Sequence, residues 1–352
     1  MAYQLAPFMK KYDTVLFDMD GVITSEESYW NIAAMTVVEQ LHSKHYFGAE
    51  EIDTGYYMAH IPDMREMVFC NDRTIKLVKN RGVNSNWDLA YLVLGAALIL
   101  GTDSDFEAVY TYLEALDEDV FQMYDHIGHA LARILKQPFS YTERLGPFWT
   151  GVTYCFQEWF LGDDLFPKVW GVDCVQTGKS GLMFAEQPIV DKDRLMTLFR
   201  LLNEAGMRVG IGTGRPRVEA VGVLKQWDVL RFFAPDAVID YTHVTDAESH
   251  LRSLGQDTAL TKPHPYMFLK GIFGSGYPDE KIAAGDFDKK RCATVLVVGD
   301  AGADLYAAFA AGCDFAAVLT GIQKQEARPF FEREHATYIL NDVLELMTET
   351  ET

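Results

Sequence analysis

Positive charge is scarce in this chain: 31 lysines and arginines stand against 51 aspartates and glutamates, a formal net charge of -20. A surface of that sign repels nucleic acid phosphates and anionic lipid, so neither nucleic acid nor membrane is expected as a partner. It also opposes the approach of any anionic substrate, so local groups or a metal ion must reverse the sign at a site that takes one. Cysteine is sparse as well. Five are scattered at Cys70, Cys155, Cys174, Cys292 and Cys313 with no CxxC pair, which suggests neither a zinc knuckle nor a disulfide framework. No apolar run is long: the most apolar, 89–100, is too short to span a bilayer and reads as a buried helix. The first residues lack a basic segment followed by a long apolar stretch, so no signal peptide is expected and the location inferred is cytoplasmic. Repeats and low-complexity stretches are missing too, apart from a short acidic tail, 349–352, expected to fray. What is present is a composition with 49% hydrophobic residues and 13% aromatics, enough to bury a sizeable core without disulfides.

Two textures divide the 352 residues. Short, almost continuously apolar runs bounded by Gly or Asp occur at 14–17 (TVLF), 208–213 (RVGIGT), 237–240 (AVID), 294–299 (TVLVVG) and 315–319 (FAAVL). Runs of this kind, separated by helical patterns, predict buried parallel strands. Helices are expected at about 191–205, 216–229, 265–273 and 302–311, the first with Leu195, Leu198, Phe199 and Leu202 at helical spacing. The fold class expected is α/β, a doubly wound, Rossmann-like parallel sheet with ligands at the C-terminal ends of its strands. Residues 25–185 differ, with helical periodicity at 29–40, 88–100, 106–116 and 119–135 and many aromatics. They are expected to form a mostly helical domain inserted into an α/β core made of 1–24 and 186–352, the chain returning through 181–188.

Four short segments sit just after the expected strands or in a loop on the same side. Asp18-Met19-Asp20-Gly21 follows TVLF, and two carboxylates two residues apart can face one site while Gly21 lets the backbone turn. Thr213-Gly214-Arg215 follows RVGIG, where a hydroxyl and exposed amides suit a phosphate oxygen. Lys262-Pro263 precedes a helix, and Gly299-Asp300-Ala301-Gly302-Ala303-Asp304 follows TVLVV. Singly these are common turn sequences.

In this order, at strand ends, they resemble the four motifs of the haloacid dehalogenase superfamily of phosphohydrolases, over about 1–24 and 186–345. The resemblance implies that Asp18 is a nucleophile forming an aspartyl-phosphate and that Asp20 is the general acid and base. It implies that Thr213 and the Gly214 amide hold the phosphoryl group and that Lys262 offsets the charge there. A Mg²⁺ ion would be held by the Asp18 carboxylate, the Asp20 carbonyl and Asp300, with Asp304 supporting that shell. The physics agrees, since a phosphate dianion approaches several carboxylates only with a hard cation and a lysine beside them. Aspartate at position 20 points to phosphoryl chemistry, because relatives that remove halide lack an acid there and ion pumps carry threonine. The insertion resembles a helical cap, longer than is usual for the type, that would close over the site and supply substrate contacts.

The function expected is a phosphatase acting on a small phosphorylated metabolite. Alternatives are a phosphomutase sharing every motif residue, and a silent binding or regulatory member. The oligomeric state is not legible. Arg215 is read either as a contact to substrate phosphate or as the start of a solvated helix face. His264 reads as structural or solvent-facing, the His126–His129 pair as surface histidines without a third ligand. Arg73, Lys76, Lys79 and Arg81 read as a solvated face. The tryptophans Trp30, Trp87, Trp149, Trp159 and Trp170 read as core. Gly178-Lys179-Ser180 imitates the end of a phosphate-binding loop, but Asp173 stands where that loop needs glycine.

Overall fold

The computed structural model describes residues 2–83, 85–116 and 119–350. The chain forms two compact units, 1–26 with 186–352, and 27–185.

Among the described residues, eight strands belong to the first unit: β1 Tyr3–Leu5, β2 Thr14–Phe17, β3 Arg208–Gly212, β4 Val238–Ile239, β5 Val295–Gly299, β6 Asp314–Val318, β7 Tyr338–Leu340 and β8 Met347–Glu349. Six of them make a sheet in the order β4-β3-β2-β5-β6-β7. Every pairing in it is parallel. Parallel strands are covered on both faces, which is why β2 and β5 are buried along their whole length and read as unbroken apolar runs. The order reverses around β2: the chain runs outward through β3 and β4, then crosses back to β5 on the other side of β2. Such a switch point opens a crevice at the C-terminal ends of the strands.

The helix Lys192–Glu204 begins at Asp191, whose side chain accepts from the Arg194 amide, and it buries Leu195, Leu198, Phe199 and Leu202. Phe199 meets Phe17 of β2 edge to face at 5.5 Å. Each fully buried side chain of this size contributes about 1.5–3 kcal/mol. The helix Tyr266–Phe273 follows Lys262-Pro263 and lays Phe268 against Gly212 of β3, where a side chain would crowd the ring.

Two expectations are corrected here, and three short strands are added. The run at 237–240 yields only the two residues of β4, because Asp240 instead caps the helix Tyr241–Ser253 through the Thr242 and His243 amides. β1, β7 and β8 were not expected, since three-residue runs carry too little pattern. The acidic tail is paired where it is described: β8 runs antiparallel to β1, and the Thr350 amide donates to Ala2. Glu351 and Thr352 lie outside the described residues.

All named elements of the second unit are helices. Asn86–Leu100 is apolar nearly all round and is buried from Asp88 to Ala97, the signature of a core helix. Its Asp88 gathers the Trp149 indole at 2.7 Å, the Arg144 guanidinium at 3.0 Å and the Tyr124 hydroxyl at 3.1 Å. The helix Pro147–Trp170 breaks at Gly162, whose φ of 75° and contact with the Gly181 backbone leave no room for a side chain. Lys179, in the imitation phosphate loop, is buried between Glu39 at 2.8 Å and Glu158 at 2.6 Å. It is therefore an internal counter-ion. Among the described residues, no helix is long and apolar enough to cross a membrane.

Candidate active site

Register alone assembles most of the site. Phe17 pairs with Ile211 on one side and with Val298 on the other, so Asp18 stands level with Gly212 and Gly299. Thr213 and Asp300 each lie one residue further along, at the mouth of the crevice. The Asp18 amide still donates to Val298 at 2.8 Å, which fixes the backbone just before the chain turns.

The Asp18 side chain is 12% exposed, and its Oδ1 accepts from Lys262 Nζ at 2.7 Å. The same ammonium lies 2.6 Å from Asp304 Oδ1 and 5.1 Å over the Phe268 ring. Asp304 is in the first turn of the helix Gly302–Ala311, buried against Gly299, where any side chain would overlap it. Asp300 is cradled between Gly21 and Gly321: a methyl on either would overlap its carboxylate. The φ of 71° at Gly21 is needed for that approach. Thr320 closes the cradle by donating its hydroxyl to the Gly21 carbonyl.

Asp18, Asp300 and Asp304 each offer an oxygen within 4.8 Å of the others. Three carboxylates and no softer donor suit a hard divalent cation such as Mg²⁺. Burial pushes the Asp18 carboxyl up to about 7; Lys262 opposes the shift, while Asp304 and Asp20 add to it. Burial works against a charged Lys262, but Asp18 and Asp304 outweigh it and hold its pKa above the ordinary lysine value.

Thr213 is buried, its amide donating to Ile239 and its hydroxyl accepting from the Arg215 amide at 3.2 Å. Gly214 is exposed, with open space where a side chain would be. The solvated-face expectation for Arg215 is corrected. Its side chain is 2% exposed and lies between Asp20 at 2.5 Å and Glu186 at 2.7 Å. It does not start a solvated face.

Asp18, Lys262, Asp300 and Asp304 are thus brought into one cluster, while the Asp20 carboxylate turns to Arg215. Sequence reasoning missed Glu186, Thr24, Thr320 and Gly321. A Thr-Gly directly after the run at 315–319 repeats the pattern of Thr213-Gly214 and could have flagged the last two. Of the other readings, His264 is half-buried and its Nδ1 accepts from the Tyr266 amide. His126 meets the Tyr112 hydroxyl at 3.2 Å and His129 stacks on Phe139. Arg81 caps the Leu113 and Glu114 carbonyls.

The HAD-hydrolase-like family profile matches residues 259–346, the segment that holds Lys262, Asp300 and Asp304. A crystal structure determined as Northeast Structural Genomics Consortium target ZR25 is similar at 27% identity and a TM-score of 0.77, over 95% of this chain and 97% of that one. Phosphatase Tt82 from Thermococcus thioreducens aligns at 15% identity and a TM-score of 0.46, over 83% of this chain and 85% of that one. A HAD family hydrolase from Deinococcus radiodurans R1, with bound phosphate and sodium, aligns at 16% and 0.40 over 96% and 93%. Likenesses as remote as these last two carry no chemistry across. A search of curated proteins gave no match. The profile match contains two of the four strand-end segments described above, Lys262-Pro263 and 299–304, and the fold is shared over nearly the full length with the 27% identical structure, so residues 259–346 are similar to the HAD-hydrolase-like family.

Proposed function

We propose that the chain is a Mg²⁺-dependent phosphatase that hydrolyses a small phosphorylated metabolite through an aspartyl-phosphate on Asp18. The observation that carries this reading is the Asp18 carboxylate at a strand end, held 2.7 Å from Lys262 beside Asp300 and Asp304. A carboxylate so placed has a lysine to orient it and to offset an incoming dianion. In the proposed step an Asp18 oxygen bonds to phosphorus as the ester oxygen departs with a proton from Asp20. Asp20 then takes a proton from the water that hydrolyses the acyl phosphate. Thr213 and the Gly214 amide hold the phosphoryl oxygens at the adjacent strand end. Asp18, Asp300 and Asp304, with the Asp20 carbonyl, would hold Mg²⁺, whose part when bound is to neutralise charge on the phosphoryl group.

The helical unit 27–185 is proposed as the cap that supplies contacts to the rest of the substrate. A panel of phosphorylated metabolites, assayed for phosphate release with Mg²⁺, identifies that substrate. Replacing Asp18 with Asn should abolish turnover of an aryl phosphate while leaving the far-ultraviolet circular dichroism unchanged. Retention of most activity by D18N would sink the mechanism.

A further inference from the structure

We propose that Arg215 is a positioning residue for Asp20, itself clamped by Glu186, and that the three form one unit that aims the acid of the reaction. The inference rests on the phosphatase reading given above. One edge of the Arg215 guanidinium faces Asp20: Nε lies 3.1 Å from both carboxylate oxygens and Nη2 lies 2.5 Å from Oδ1. The other edge grips Glu186 through Nη1 and Nη2, both at 2.7 Å. Thr24 stands beside both, its hydroxyl accepting from Nη2 at 2.9 Å and sharing its one proton between the Met19 carbonyl at 3.0 Å and Asp20 Oδ1 at 3.2 Å.

Exposure sorts the members. The Glu186 side chain is 0% exposed, Arg215 2% and Asp20 28%. The fork therefore cannot swing toward a phosphate without leaving Glu186 as a buried, uncompensated charge, which is strongly unfavourable. Its accessible output is the direction of one carboxylate. Asp20 also needs such a restraint, because it sits at the entrance of the sharp turn in which Ile23 and Thr24 amides both return to the Met19 carbonyl. The anchors are rigid in turn. Thr24 and Glu186 stand on the two segments joined by the Ile189-to-Ile23 and Ser25-to-Gln187 hydrogen bonds.

A planar, bidentate guanidinium fixes a carboxylate in orientation, whereas an ammonium supplies charge without a fork. Asp20 carries the mobile proton on the carboxyl group that this fork orients. As the Asp18 oxygen bonds to phosphorus and the ester P–O bond breaks, that proton passes to the departing oxygen. The Asp20 carboxylate left behind is then stabilised by Arg215.

The test uses the full chain with Mg²⁺ and a series of aryl phosphates running from 4-nitrophenyl to phenyl phosphate. kcat/KM reports the steps up to departure of the phenol, and only the less acidic phenols need the proton. Wild type should show a shallow dependence on leaving group. Arg215→Lys should lose about tenfold more kcat/KM on phenyl than on 4-nitrophenyl phosphate, and Asp20→Asn should give the same steepening. Combined, the two substitutions should be little worse than D20N alone. Equal losses on both esters in R215K, or no loss, would overturn the positioning role while leaving the phosphatase reading intact. A wild type that turns over none of the esters would overturn the phosphatase reading, and the positioning role with it.

Discussion

Gly21 faces Asp300 so closely that a single methyl group on it would overlap the carboxylate. The turn after the first aspartates and the acid after β5 are therefore one construction. Gly21→Ala should cost about 1 kcal/mol from the positive φ alone, and it should push Asp300 out of the acidic cluster. Isothermal titration with Mg²⁺ should show weakened binding, with turnover reduced at least about tenfold at fixed Mg²⁺. Unchanged Mg²⁺ affinity in a folded G21A would show that Asp300 has no part in holding the ion.

Lys262 is the cation between two buried carboxylates, Asp18 and Asp304. Lys262→Met removes it and leaves their repulsion uncompensated, a change of about 3–5 kcal/mol in a buried pair. Melting temperature should fall in metal-free buffer and recover in part with Mg²⁺, while activity stays low because the phosphate has lost its lysine. A K262M protein as active as wild type would remove Lys262 from the proposed chemistry.

The pH dependence of stability carries a definite sign. Asp18 titrates near 3.8 unfolded and at about 7 folded, so the native state holds the extra proton. Without metal, stability should fall as pH rises from about 4 to about 7 through this group. Lys262, with its pKa raised, is charged throughout that window and adds no slope. A divalent cation competes with the proton, so its affinity should increase over the same range. Thermal melts in EDTA and in Mg²⁺ between pH 5 and 8 separate the two cases. An Asp18→Asn protein that keeps the metal-free slope would assign it to other groups.

In the helical unit, Lys179 is the counter-ion for Glu39 and Glu158, all three with fully buried side chains. Lys179→Met should destabilise by about 3–5 kcal/mol, because two carboxylates then remain buried without a cation. Glu39→Gln should be much milder, since one ion pair survives and the surplus negative charge is removed. Urea denaturation of the two variants distinguishes them. A K179M protein as stable as E39Q would mean that the carboxylates shed their charge on losing the lysine.

The strand-end motifs were legible because buried parallel strands are unbroken apolar runs, and the residue after each run must lie at the sheet's C-terminal edge. That logic found Asp18, Thr213 and Asp300 directly. It failed for β1, β7 and β8, whose three residues show no periodicity, and for Asp240, where a helix cap overrode a strand-like run. It failed for Arg215 too, since a charged residue opening a helix looks solvated until its partners are known.

The sequence alone determined the doubly wound sheet, its helical insertion and the acids at the strand ends, because burial and spacing are properties of neighbours along the chain. Only the tertiary structure decided which charges meet. Glu186 reaches Arg215 across 29 positions, and Asp20 does so across 195. Lys179 reaches Glu39 across 140. Pairings at that range leave no local pattern, because the force that selects them is the penalty for burying a charge alone, and that penalty appears only once the chain has closed around it.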